Sequence, residues 1–153
     1  MPGSAAETEA LGVYVKLLRA GRTVLARVEP GLTAAGLTVT QFGVLEAILH
    51  KGPLTQRELM RKVLTSPGNL TDVIDKLEAR DLVRRERSLA DRRVVMVDLT
   101  PQGRSVIAAL FPRHAADITR AIGVLTPDEQ ATLGRLLRKL GLSVPGDDPA
   151  PTG

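Results

Sequence analysis

Apolar positions along this chain recur with a helical period, drop to strict alternation once, and then return to the helical period. Leu11, Tyr14, Val15, Leu18, Leu25 and Val28 share one stripe, which predicts a helix from about Ala10 to Val28 that Pro30-Gly31 ends or bends. In mid-chain, Leu70, Val73, Ile74 and Leu77 follow the i, i+3, i+4, i+7 pattern. Val95, Val97 and Leu99 then alternate with Met96 and Asp98, the period of a half-buried strand. A last helical stripe joins Leu125, Leu133, Leu136, Leu137 and Leu140.

Cap chemistry places the helix starts. Thr38 with Gln41, Thr55 with Glu58, and Thr126 with Glu129 have the capping-box spacing, in which the hydroxyl and the longer side chain satisfy first-turn amides reciprocally. Ser66-Pro67 and Thr100-Pro101 supply a hydroxyl cap followed by proline at the first helical position. The predicted order is four helices, a hairpin and two helices. This is a mainly α fold with a small β-wing, one structural domain overall. Residues 1–9 and 144–153 read as disordered tails, since they carry too little apolar surface to order themselves.

Thr55 to about Lys62 and Ser66 to about Arg80 are two helices separated by Val63-Leu64-Thr65, the layout of a helix-turn-helix. With its apolar stripe turned inward, the second helix leaves Gly68, Asn69, Thr71, Asp72, Asp75 and Lys76 outward. Taken alone, that face is either an ordinary surface or a recognition helix whose small first turn lets backbone amides approach phosphate while Asn69 and Thr71 reach base edges. Charge shifts the balance. The 43 residues from Lys51 to Arg93 hold eleven Lys/Arg and seven Asp/Glu, which accounts for the whole net charge of +4. Arg84-Arg85-Glu86-Arg87-Ser88-Leu89-Ala90-Asp91-Arg92-Arg93 reads as a hairpin tip presenting guanidinium groups, which displace counterions condensed on nucleic acid.

Composition removes other chemistries. Zero cysteines exclude disulfides, thiolate metal sites and thiol switches, and His50 and His114 are the only histidines. No Gly-rich phosphate loop, catalytic triad or metal-ligand spacing occurs, so no enzyme, catalytic residue, metal or cofactor is expected. No signal pattern and no apolar run near the roughly 20 residues of a membrane span is present, so a cytoplasmic protein without a membrane partner is expected.

Several linked segments resemble the MarR family of winged helix-turn-helix transcription regulators. They are Leu37-Thr38-Val39-Thr40-Gln41-Phe42, Leu54-Thr55-Gln56-Arg57-Glu58-Leu59, Leu77-Glu78-Ala79-Arg80-Asp81-Leu82-Val83-Arg84-Arg85, and Asp91-Arg92-Arg93 followed by Leu99-Thr100-Pro101-Gln102-Gly103. The resemblance implies a ligand-responsive repressor that binds a pseudo-palindromic operator as a homodimer. Its partners would be double-stranded DNA, a second copy of itself and a small-molecule effector. Residues 10–36 become an N-terminal dimerisation helix, 37–100 the DNA-binding lobe and 101–143 C-terminal dimerisation helices.

The expected DNA contacts are Thr55, Gln56 and Arg57, then Ser66, Gly68, Asn69, Thr71, Asp72 and Lys76, then Arg85, Arg87, Arg92 and Arg93. Arg93 would enter the minor groove, Asp91 would shape the wing, and Arg92 would touch phosphate. Asp81 stands where many members carry the glycine that closes the recognition helix. Tyr14, Arg113 and His114 border the expected effector cleft, and no effector residue is assigned. The alternative is a winged-helix module that binds another protein, to be separated from a DNA reader by salt dependence.

Overall fold

Thirty residues form the first helix, more than the periodicity predicts. The computed structural model describes residues 3–63 and 65–142. Helix α1 spans Ala5–Ala34, followed by α2 (Val39–Lys51), β1 (Leu54–Thr55), α3 (Gln56–Lys62), α4 (Pro67–Ala79), β2 (Val83–Arg87), β3 (Val95–Leu99), α5 (Pro101–Ile122) and α6 (Pro127–Leu142). None of these helices is by itself long and apolar enough to cross a membrane. The expected tail over 144–153 lies outside the described residues.

The expected loose tail over 1–9 is corrected from residue 4 on, residues 1 and 2 lying outside the described residues. Ser4 Oγ accepts from the Glu7 amide at 3.2 Å and the Glu7 carboxylate accepts from the Ser4 amide at 2.5 Å, a capping box that starts α1 at Ala5. Nor does Pro30 end the helix. It ends where Gly36 turns left-handed at φ 75°, with the Leu37 amide donating to Leu32 O at 3.0 Å and the Gly36 amide to Thr33 O at 2.9 Å.

Around α2 lies the core. Phe42, Val44, Leu45 and Ile48 of α2 pack with Leu59, with Leu70, Val73, Ile74 and Leu77 of α4, with Val83, Val97 and Leu99 of the sheet, and with Ile107 of α5. The four α4 residues are the stripe read from the sequence. The sheet has a third strand that the alternation did not reveal: β1 pairs antiparallel with β3 through Leu54↔Val97 and Thr55↔Met96, giving the order β1-β3-β2. The hairpin reading is corrected as well. Arg84, Arg85 and Arg87 lie within β2, paired with Asp98, Val97 and Val95, so the tip is confined to residues 88–94.

Where α4, the sheet and α5 meet, backbone touches backbone. Asp81 takes φ 56°, closing α4 as the missing glycine would, with Leu82 N–H donating to Leu77 O at 3.0 Å. The Thr100 hydroxyl donates to Asp81 O at 2.5 Å and accepts from the Gly103 amide at 2.9 Å. A Cβ on Gly103 would stand 1.8 Å from Leu82 O, so only glycine permits the first turn of α5 to sit there. Outside this junction, Leu11, Tyr14, Val15, Leu18 and Leu25 of α1 and Leu133, Leu136 and Leu137 of α6 remain exposed.

Candidate nucleic-acid interface

Helix α4 begins at Ser66, whose hydroxyl accepts from the Asn69 amide at 3.3 Å, with Pro67 in the first turn. Ser66, Gly68 and Asn69 are exposed, no acidic residue occupies this turn, and a Cβ on Gly68 would meet open space. The positive end of the helix dipole therefore faces outward, with the space beside Gly68 open. Asn69 Nδ2 donates to Thr65 Oγ1, which holds the amide group across the start of the helix.

Gln56 Nε2 donates to Thr71 Oγ1 at 2.6 Å, and Thr71 Oγ1 donates to Pro67 O at 3.2 Å. These bonds link α3 to α4, which fixes the angle at which α4 is presented. One helical turn on, Lys76 Nζ lies 2.8 Å from Asp72 Oδ2, so the carboxylate on this face is paired with a neighbouring cation. Arg57 is exposed on the adjoining face of α3. Thr55 caps α3: its hydroxyl accepts from the Glu58 amide at 3.2 Å, its amide donates to Glu58 Oε2 at 2.7 Å, and its backbone pairs with β3.

Arg85 is likewise turned inward. Its Nη2 lies 2.6 Å from Asp75 Oδ1, its Nη1 2.9 Å from Glu78 Oε1, and its amide donates to Glu78 Oε2 at 3.0 Å. The side chain is 26 % exposed. Two carboxylates of α4 thus clamp a strand of the wing through Arg85, the residue expected among the DNA contacts. Sequence reasoning missed this clamp, although the spacing from Glu78 to Arg85 across a helix end was visible.

The wing tip is built from two turns. Asp91 Oδ1 accepts from the Arg93 amide at 3.0 Å and from Arg93 Nε at 3.1 Å, and Asp91 Oδ2 accepts from Arg93 Nη2 at 3.1 Å. The Arg93 guanidinium and then its backbone amide hold the Asp91 carboxyl below the usual carboxylate value of 3.8. The Arg93 side chain is nevertheless 90 % exposed. Arg87 Nη1 donates to Arg92 O at 2.8 Å, bracing the tip from its stem, and Arg92 is exposed. The structure therefore brings Gln56, Arg57, Ser66, Gly68, Asn69, Thr71, Asp72 and Lys76 onto the α3 and α4 surface, and Arg87, Arg92 and Arg93 onto the wing.

The His114 ring of α5 packs on Phe42 with centroids 4.2 Å apart, and its buried Nδ1 has no hydrogen-bond partner. Among the described residues no cluster of three or more His, Asp or Glu could hold a metal ion.

Residues 37–95 match the model of the MarR family. The chain is 34% identical over 135 residues to the HTH-type transcriptional regulator MhqR of Bacillus subtilis, covering 88% of this chain and 93% of that protein. BpsR of Bordetella bronchiseptica, whose DNA binding is regulated by 6-hydroxynicotinic acid, superposes with a TM-score of 0.76 at 32% identity, over 85% of this chain and 98% of BpsR. A cysteine-to-serine variant of MarR from Escherichia coli complexed with operator DNA superposes with a TM-score of 0.75 at 27% identity, over 91% of this chain and 99% of that one.

Proposed function

The chain belongs to the MarR family and is a DNA-binding transcription regulator, and from that premise we propose that it is a repressor that binds a pseudo-palindromic operator as a homodimer in the cytoplasm. The observation that carries this reading is the pairing of two exposed surfaces on one rigid unit. The uncovered first turn of α4 suits a major groove, and the Arg92-Arg93 tip suits the neighbouring minor groove, where a narrow A·T-rich groove concentrates negative potential. The Arg85 clamp to Asp75 and Glu78 holds one at a set distance from the other. Two such units related by a two-fold axis read two half-sites. The exposed leucines of α1 and α6 are the surface that such an axis would cover.

Release by a small aromatic acid is part of the reading. The relative BpsR responds to 6-hydroxynicotinic acid, and in this chain the unpartnered Nδ1 of His114 offers a buried polar atom beside Phe42. Addition of that acid to the operator complex, with His114→Ala as the comparison, tests it: release by the acid in the wild type and not in the variant supports the assignment.

The DNA reading is tested with Arg93→Ala. Thermal stability stays within about half a kcal/mol of wild type, the norm for an exposed position. Operator binding weakens by roughly 1–3 kcal/mol per half-site, and the slope of log affinity against log salt becomes shallower because one fewer cation displaces counterions. Arg135→Ala on α6, a change of the same sign, leaves binding unaltered. Equal operator affinity of the two variants at every salt concentration would overturn the wing contact and favour the protein-binding module.

A further inference from the structure

The arginines of the wing leave one of its residues without a role. Leu89 is 95 % exposed, more than any other large hydrophobic side chain among the described residues, and it stands between Arg87 and Arg92-Arg93. It cannot fold back. The Ala90 amide donates to Ser88 Oγ at 3.2 Å, closing a turn with Leu89 at its corner, and the Val94 amide donates to Asp91 O at 3.0 Å, closing a second turn with Arg92 and Arg93 at its corners. The Ser88 amide on Val94 O at 2.8 Å and Arg87 Nη1 on Arg92 O at 2.8 Å hold the two turns together. An apolar corner and a cationic corner therefore project from one braced loop.

A hairpin tip needs only polar residues, and a leucine held in water gains free energy from any apolar surface that covers it. The cations around it specify the partner's charge. A polyanion whose charged rim encloses apolar walls matches both corners, and the minor groove of DNA, bounded by phosphates and walled by deoxyriboses, has that character. We infer that Leu89 packs on the deoxyribose wall of the minor groove beside the point where Arg93 enters. This rests on the DNA-binding reading above and adds a contact that reads groove width through shape, since a widened groove moves the wall away from a side chain that cannot follow.

The experiment uses the full chain and a duplex that the wild type recovers from a randomised pool. Wild type, Leu89→Ala, Leu89→Ser, Leu89→Met and Arg93→Ala are titrated at several salt concentrations. Leu89→Ala and Leu89→Ser lose about tenfold in affinity for the lost apolar contact, Leu89→Met stays near wild type, and all three keep the wild-type salt slope. Arg93→Ala alone flattens the slope. Thermal midpoints remain unchanged, because Leu89 touches no core. If Leu89→Ala binds like wild type while Arg93→Ala is weakened, the inference falls and the DNA-binding reading stands. A Leu89→Ala variant that flattens the salt slope as Arg93→Ala does would also overturn it, since the loss would then come from the cations. If the wild type recovers no duplex from the pool, both readings fall together.

Discussion

The lobe from α2 to β3 and the two outer helices α1 and α6 are written in the same apolar alphabet, yet they end in opposite environments. In the lobe, Leu70, Ile74 and Leu77 are fully buried, α4 packing against α2, α3 and the sheet. On α1 and α6, Leu11, Leu18, Leu133 and Leu136 stand in the open at the same helical spacing. A periodic stripe thus announces a helix and a buried face, but it does not say whose surface buries it. Within the lobe every stripe finds a complement in the same chain. The outer helices keep part of their stripes uncovered even where α1 packs on α5, and a contiguous apolar face of this kind is a signature of assembly.

The most damaging way to break this contrast is at the junction the two regions share. Gly103→Ala places a methyl group 1.8 Å from Leu82 O, with backbone on both sides and no side chain to yield. We expect a loss above about 4 kcal/mol, the range of exceptional single changes, read as a large fall in the urea midpoint with operator binding abolished. A variant of near wild-type stability would mean that α5 is free to move away from the sheet.

Next in size is a change that separates the regions. Leu133→Asp combined with Leu136→Asp puts two charges on the exposed stripe of α6. Sedimentation should then report 16.4 kDa monomers, and operator affinity should fall by on the order of a hundredfold or more as the second half-site becomes a separate binding event. Hydrogen-exchange protection of α2 and α4 should persist. Loss of that protection would show that the lobe also depends on the outer helices for its fold.

The smallest effect concerns the wing tip, which belongs to neither core nor outer stripe. The Asp91 carboxyl titrates below 3.8 because Arg93 stabilises its charged form, so the contribution of this chelate is complete above 3.8 and is lost as pH falls through the lower folded value. Between pH 5 and 9 the wing should not change. Carboxyl NMR should give an Asp91 midpoint below 3.8, and Asp91→Asn should remove the acid transition from the Arg93 amide while leaving Leu77 and Val97 unaffected. An Asp91 midpoint at or above 3.8 would refute the chelate.

What could be read in advance was what is encoded locally. The Thr38, Thr55, Ser66, Thr100 and Thr126 caps all form, because a hydroxyl and an amide three residues apart need no distant partner. Ser4 with Glu7 obeys the same rule and went unread because the segment was judged by hydropathy alone. Strand β1 escaped because two residues cannot display a period, and only β3 defines them as a strand. The interface divides in the same way. The outward polar face of α4 followed from its apolar stripe, whereas the direction of Arg85 depended on register: two residues beyond the buried Val83, it shares the inner face and meets the carboxylates of α4.

The missing side chain at Gly103 has a mechanical meaning. Helix α5 has 22 residues, roughly 33 Å at 1.5 Å per residue, and its first turn rests directly on the backbone that ends α4 and opens the wing. Side chains between two elements act as compliant padding, since they can change rotamer and absorb a displacement. Here there is no padding, and the Thr100 hydroxyl bridges the two sides. A displacement of the first turn of α5 is therefore passed to the end of α4 and the start of the wing together, because no side chain lies between them to absorb it.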